Sequence, residues 1–451
     1  MVGQLFGPRF PRSITRRDYS ALGKSLAYIQ LRRNRAKAAR ARATFAVASR
    51  HWADRHIVGL VKPTNPTLSN AGTTIFETMS GLARAHNAVN LGQGFPDEAG
   101  PLPIRSLAAT YLLDGNNQYP PMMGLPALRQ AVARHAQRFY QLELDWQHEV
   151  LVTSGATEAL MDCFLGLLDI GDEVILLEPA YDTYAPAIRR LGAVPLAVRL
   201  TPPAWQVPQA ELAAAFSSRT KLLVLNSPMN PSGKVFERAE LEFIANLLAQ
   251  HDAYAVCDEV YEHLVFAGHP HIPLMTLPGM RDRCVRIGSA GKTFSMTGWK
   301  VGYITGAPHL LRPITKAHQF VTFTTPPNLQ HAIAAGLDQD DNYFTGLGTK
   351  LAASRDRLAT GLRSLGLPLL TGDGTYFLVA DVADWMRPEE DDVAFCSRLV
   401  TDAGVVTIPL SAFYLDAPPR SLVRFCFSKH DATIDAALLR LQQWRASESS
   451  V

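Results

Sequence analysis

The spacing of apolar residues changes character along the chain. From about 150 to 306, short runs rich in Val, Ile and Leu alternate with stretches whose apolar residues recur every three or four positions. The runs Glu149–Thr153, Glu173–Leu177, Lys221–Leu225, Tyr254–Cys257, Cys284–Ile287 and Val301–Thr305 predict buried strands. Ala156–Leu168 predicts a helix, because Ala159/Leu160, Cys163/Phe164 and Leu167/Leu168 fall on one face. Pro126–Tyr140 and Arg238–Gln250 read the same way. Such alternation predicts an α/β layer structure with a mostly parallel sheet, whose ligands bind beyond the carboxyl ends of the strands. After about 340 the pattern becomes a long helix (Asn342–Leu365), strands at Thr375–Asp381 and Leu422–Phe427, and a closing helix (Ala432–Ala446). This predicts a smaller α+β domain.

The first 60 residues carry no core period. Residues 1–50 hold ten arginines and two lysines against one acid, Asp18, so the remainder of the chain is acidic although the whole carries +3. An organelle transit peptide, a nucleic-acid arm and a poorly structured extension or misassigned start all fit this segment, and the last is favoured because nothing later requires it. Globular sequence is expected from about Thr73, past the Pro63-Thr-Asn-Pro-Thr67 boundary. The expected division is 1–60 extension, 61–104 arm and part of a small domain, 105–340 large domain and 341–451 small domain. Without a basic footprint, the body is not expected to bind nucleic acid. No apolar run reaches the roughly 18 residues of a membrane span. The five cysteines show no metal-like or C-x-x-C spacing, so buried thiols in a reducing, cytoplasmic setting are expected and no metal.

Chemistry gathers at predicted strand ends. Ser289-Ala-Gly-Lys-Thr-Phe-Ser-Met-Thr-Gly-Trp-Lys-Val-Gly302 places Lys292 among small residues, with Ser289 three positions before and Lys300 eight after. Small neighbours leave room for a bulky group on the lysine, and the hydroxyl and second cation suit an attached anion. That is what a pyridoxal phosphate site needs, although a surface loop with two solvated lysines has the same composition. Thr153-Ser-Gly-Ala-Thr-Glu158 is a strand–helix turn whose free N–H groups suit phosphate, or an ordinary turn. Asn226-Ser-Pro-Met-Asn-Pro-Ser-Gly233 is a rigid loop. Asp258-Glu-Val-Tyr261 puts an acid at the end of a buried strand, where it needs a cationic partner or caps a helix. Arg424, among apolar residues of Ser421–Phe427, suits a substrate carboxylate or a structural ion pair.

Taken in order, Asn226…Asn230-Pro-x-Gly, Asp258-x-x-Tyr261, Ser289-x-x-Lys292, Thr297-Gly-Trp-Lys-Val-Gly302 and Arg424 resemble the class I aminotransferases of the type I pyridoxal phosphate fold. Ile75-Phe-Glu-Thr-Met79, Asn90-Leu-Gly-Gln-Gly-Phe-Pro-Asp97 and Asn117-Gln-Tyr-Pro-Pro-Met-Met-Gly124 resemble the branch holding kynurenine, glutamine and methionine aminotransferases. The resemblance spans about 73 to 446. It implies a large domain with a mostly parallel seven-stranded sheet, a smaller α+β domain, and a homodimer with shared sites. It further implies that Lys292 binds the cofactor covalently and shuttles protons, and that Asp258 pairs with its pyridine nitrogen. Asn230 and Tyr261 hold the phenolic oxygen, and Tyr181 stacks on the ring. Ala156, Thr157, Ser289 and Lys300 hold phosphate, with Tyr119 reaching the phosphate of the partner subunit. Arg424, Asn230 and Gly94 take the substrate carboxylate, while Phe95, Phe323, Tyr376 and Phe377 line the side-chain pocket. The implied reaction is ping-pong transfer of an amino group from a neutral L-amino acid to a 2-oxo acid. A cysteine-conjugate β-lyase on the same cofactor is the nearer alternative. A cofactor-sensing transcription regulator is the distant one, since 60 residues cannot supply a winged helix-turn-helix and linker.

Overall fold

The computed structural model describes residues 72–448 together with Lys62, Thr64, Asn65 and Ser69, and the chain divides between Asn65 and Pro66. The expected extension over residues 1–60 lies outside the described residues. The first long helix among the described residues, Ile75–His86, starts where Thr74 accepts the Glu77 amide on its hydroxyl and stops at Asn87 in the left-handed region.

Twelve strands are described: β1 (Val89–Asn90), β2 (Val150–Thr153), β3 (Glu173–Glu178), β4 (Val194–Arg199), β5 (Thr220–Asn226), β6 (Tyr254–Asp258), β7 (Cys284–Ser289), β8 (Gly302–Gly306), β9 (Phe377–Asp381), β10 (Val405–Val406), β11 (Ile408–Pro409) and β12 (Leu422–Cys426). Seven form one sheet in the order β2-β8-β7-β6-β5-β3-β4. All neighbours are parallel except β8, which runs antiparallel to β2 and β7. The inner strands β3, β6 and β7 are buried almost throughout, as their unbroken apolar runs require when both faces are covered.

This topology positions the site. Parallel β5, β6 and β7 finish side by side, with Asn226 in register with Asp258, and Asp258 with Ile287. Because β8 is antiparallel, its first residue Gly302 pairs with the last residues of β7 and β2, Ser289 and Thr153. The residues just before β8, Lys300 among them, are thereby delivered to the strand ends where Lys292 follows β7. Gly302 has no room for a side chain: a Cβ there would stand 2.7 Å from the Gly155 carbonyl carbon, so β8 and the Gly155–Leu167 helix meet backbone to backbone.

A second sheet, β11-β12-β9, is antiparallel, and a parallel pair joins β1 to β10. Arg424 lies in the middle strand opposite Val379 and Ile408. The predicted strands and helices are present, several within a residue or two of the expected ends. Edge strand β4 goes unpredicted because only one of its six residues, Val198, is buried and Pro195 interrupts the pattern. The helices Leu102–Asp114, Pro308–Val321 and Pro327–Leu337 likewise go unpredicted, and each opens with a proline in its first turn. All five cysteines are free and buried. No helix among the described residues is long and apolar enough to cross a membrane.

Candidate active site

A cleft of about 460 Å³ opens at the carboxyl ends of β5, β6 and β7 and is closed on its other side by the segment after β1 and by β12. Gly94, Ala156, Thr157, Tyr181, Asn230, Asp258, Tyr261, Ser289, Lys292, Lys300, Phe377 and Arg424 all line it, with Phe95. Tyr119 and Phe323 do not. They stand edge to face at 5.6 Å, and Tyr119 is 83% exposed.

Lys292 sits in the short helix Ala290–Thr293 that follows β7. Its Nζ lies 3.0 Å from the Tyr376 hydroxyl and 3.4 Å from the Gly94 carbonyl. Burial pulls its pKa down to about 8, with the Asp258 carboxylate pulling the other way. A useful fraction of the amine is therefore uncharged near neutral pH.

Asp258 ends β6 as the pattern predicts, and it caps no helix. Oδ2 accepts a 2.6 Å hydrogen bond from the Tyr184 hydroxyl, while Oδ1 is buried without a partner. Burial raises its pKa, against the pull of the Tyr184 hydrogen bond. An acceptor so placed calls for a donor in the cleft. Asn226, in the next strand, fixes the neighbouring loop. Its amide donates to the Asp258 carbonyl at 2.8 Å, and its Oδ1 accepts the Asn230 amide at 2.7 Å. Tyr261 is buried beside them, its phenol pushed upward in pKa by burial.

The turn after β2 starts the helix Gly155–Leu167 with free N–H groups at Ala156 and Thr157 in the cleft wall. Lys300, held in the left-handed region at φ 53°, lies across from them with Nζ 3.3 Å from the Thr157 hydroxyl. Gly155 has φ 78°, and a Cβ there would press on Lys300 at 3.3 Å. A helix start, a hydroxyl and a cation make an anion cradle.

Arg424 forms no structural ion pair among the described residues. It is 1% exposed, yet no described carboxylate lies within salt-bridge distance. One Nη donates to Asn230 Oδ1 and the other to the Gly92 carbonyl, each at 2.7 Å, and Nε has no partner. The guanidinium carbon lies 4.0 Å from the Phe377 ring centroid. Burial lowers its pKa. A buried cation held by neutral acceptors awaits an anion.

Tyr184 and Tyr376 are the residues the sequence reading misses. Tyr184 lies three residues after Tyr181 with no role expected of it, and Tyr376 is expected in the side-chain pocket but contacts Lys292 instead. In sum the walls offer an amine for an aldehyde, a carboxylate oxygen for a protonated ring nitrogen, and a cradle for phosphate.

Comparison with known proteins agrees with this chemistry. The model of the family "Aminotransferase class I and II" matches residues 86–441. The methionine aminotransferase of Escherichia coli K12 is 41% identical over 376 residues, covering 83% of this chain and 97% of that protein. Kynurenine–oxoglutarate transaminase 1 of Rattus norvegicus is 40% identical, covering 81% of this chain and 94% of its own length. The solved N-succinyldiaminopimelate aminotransferase of Mycobacterium tuberculosis superposes with a TM-score of 0.82 at 41% identity, over 85% of this chain and 100% of that one. The chain belongs to the class I and II aminotransferases, enzymes that use pyridoxal 5′-phosphate to move an amino group between an amino acid and a 2-oxo acid.

Proposed function

We propose that the preferred donor is a neutral L-amino acid of the methionine, glutamine, aromatic or kynurenine-like class, used in a ping-pong exchange with a 2-oxo acid. The observation that carries this reading is Arg424: a buried guanidinium with an unpartnered Nε and no carboxylate of its own, facing the cleft that holds Lys292. Among the described residues the cations lining the cleft are Lys292, Lys300 and Arg424. With Lys300 at the phosphate cradle and Lys292 at the reacting carbon, only Arg424 remains, and it matches the α-carboxylate. No further cation among this chain's described residues lines the cleft for an acidic side chain, while Phe76, Phe95 and Phe377 offer apolar walls. The relatives named for methionine and kynurenine lean the same way.

The residues fit the cofactor. Lys292 would hold its aldehyde carbon, Asp258 Oδ1 its ring nitrogen, and Tyr261 and Asn230 its phenolic oxygen. Tyr181 would stack on the ring, and Ala156, Thr157, Ser289 and Lys300 would hold the phosphate. When bound, pyridoxal phosphate supplies an electron sink for the pair left at the substrate Cα. The chain supplies the rest. Asp258, itself held by Tyr184, keeps positive charge at the ring nitrogen favourable. Arg424 and Asn230 fix the substrate through its carboxylate, with the Gly94 backbone assisting. Lys292, partly neutral because it is buried, would take the proton from Cα and return it to the carbon that was the cofactor's aldehyde.

We take residues 105–340 as the large domain, with 61–104 and 341–451 forming the small one. The exposed aromatic group Tyr119, Phe320 and Phe323 supports a homodimer in which Tyr119 completes the partner's phosphate site. The five buried free thiols support a cytoplasmic setting. A half-reaction screen tests the substrate reading by following loss of the cofactor-lysine absorbance with a panel of amino acids. Fast reaction with methionine, glutamine, phenylalanine or kynurenine is expected. Preference for aspartate, or equal reaction with amines lacking a carboxylate, would overturn it.

A further inference from the structure

Lys292 lines two cavities. Besides the cleft, it reaches a second space of about 690 Å³ walled in part by Phe294, Tyr343, Leu347, Tyr376 and Lys429. A flexible amine at the boundary of two cavities has somewhere to go other than the reacting carbon. What holds it is therefore a question of mechanism.

Tyr376 is 1% exposed and lies behind the cleft wall. Its hydroxyl donates to the Gly94 carbonyl at 2.7 Å. A carbonyl has no proton to give, so the single hydroxyl proton is committed there. Lys292 Nζ, 3.0 Å from the same hydroxyl oxygen, must then be the donor in that contact. Its longer 3.4 Å contact, to the Gly94 carbonyl, also uses an N–H. Neither contact occupies the nitrogen lone pair. The phenol has little freedom: its ring stands perpendicular to Tyr261 at 5.3 Å and packs on Phe377 at 4.7 Å, while its carbonyl accepts the Phe427 amide at 2.9 Å.

We propose that Tyr376 is the positioning residue for the Lys292 amine. Its hydroxyl, oriented by Gly94, takes a Lys292 N–H whenever that amine is free, keeping the nitrogen at the cleft with its lone pair available to the substrate's Cα proton. This rests on Lys292 being the cofactor lysine.

The test is Tyr376→Phe, which removes the hydroxyl and keeps the ring. In steady state kcat falls about tenfold or more while KM stays within about twofold, since the group acts on proton transfer rather than on binding. The isotope effect with Cα-deuterated substrate rises as proton removal becomes slower. A second readout does not depend on turnover. In the pyridoxamine phosphate form Lys292 is free, and acetic anhydride labels it in proportion to its neutral fraction. Loss of an acceptor that favours the ammonium gives about fivefold more neutral amine at pH 7 in the variant. Unchanged kcat, a loss carried by KM, or identical labelling curves would each overturn the proposal. Should Tyr376→Phe fold poorly, 3,5-difluorotyrosine at this position keeps the shape, weakens the acceptor, and must lower kcat in the same direction. Borohydride reduction and peptide mapping of the wild type separate the two levels. Label on another lysine sinks the Lys292 reading, whereas label on Lys292 with an unaltered variant sinks the Tyr376 role alone.

Discussion

Replacing Arg424 by methionine tests the substrate reading most directly. The variant keeps an apolar stem against Phe377 and loses the donors together with the charge. In the wild type two of those donors are held by Asn230 Oδ1 and the Gly92 carbonyl, and the Nε is unused. A substrate carboxylate would meet a cation fully removed from water and set at a fixed angle by its neighbours. Deleting one member of such a desolvated pair costs about 2–5 kcal/mol. At about 1.4 kcal/mol per factor of ten, kcat/KM for an amino acid should fall by about thirtyfold to several thousandfold. The fall should appear mainly as weaker saturation. The assay follows the cofactor absorbance in single half-reactions across substrate concentration, with a simple amine as comparison. Reaction with that amine should be slow in both proteins and equal. A loss below about threefold, or equal damage to the amine, would refute the role of Arg424 and leave it a structural cation.

Asp258→Asn should retain cofactor and lose most turnover, because an amide does not keep a ring nitrogen charged; near-normal turnover would contradict the ring-nitrogen role. His318 is buried between Glu158 and Asp162, with Nδ1 at 2.7 and 3.6 Å from their oxygens. Although burial itself opposes the charge, the nearby Asp162 carboxylate and the hydrogen bond to Glu158 raise its pKa to about 9, so its stabilising contribution is full below about 6.5 and is lost as pH rises through 9. The melting-temperature gap between wild type and His318→Gln should therefore narrow from pH 6.5 to 9.5, and a widening gap would show the sign to be wrong. Tyr119→Asp and Lys292→Ala should each be nearly inactive as homodimers, while the purified heterodimer should recover activity because one of its sites carries neither lesion. Heterodimer activity no higher than either parent would remove Tyr119 from the partner's site.

Strands and helices of the sheet domain were legible because their residues bury on a fixed period, and a run of Val, Ile and Leu has few other uses. Asp258, Asn226 and Lys292 stood out for the related reason that each follows such a run, where a polar residue at the edge of a core needs a partner. The sequence also carried the family resemblance, since the spacing of Ser289, Lys292 and Lys300 survives in the linear chain. Edge strand β4 and the proline-led helices did not show, because exposure on one side or a proline at the start breaks the period that reveals an element.

The tertiary structure decided which polar residues meet. Strand order sets Asn226 beside Asp258, and the reversed direction of β8 returns Lys300 to the end of the sheet where Lys292 emerges. Tyr184 reaches Asp258 across 74 positions, Tyr376 reaches Lys292 across 84, and Arg424 reaches Asn230 across 194. Contacts at such separations leave no period in the sequence. Likewise, only the fold shows that Arg424 is buried without a carboxylate, because an unmet partner is a property of everything packed around a side chain and not of the residues next to it in the chain.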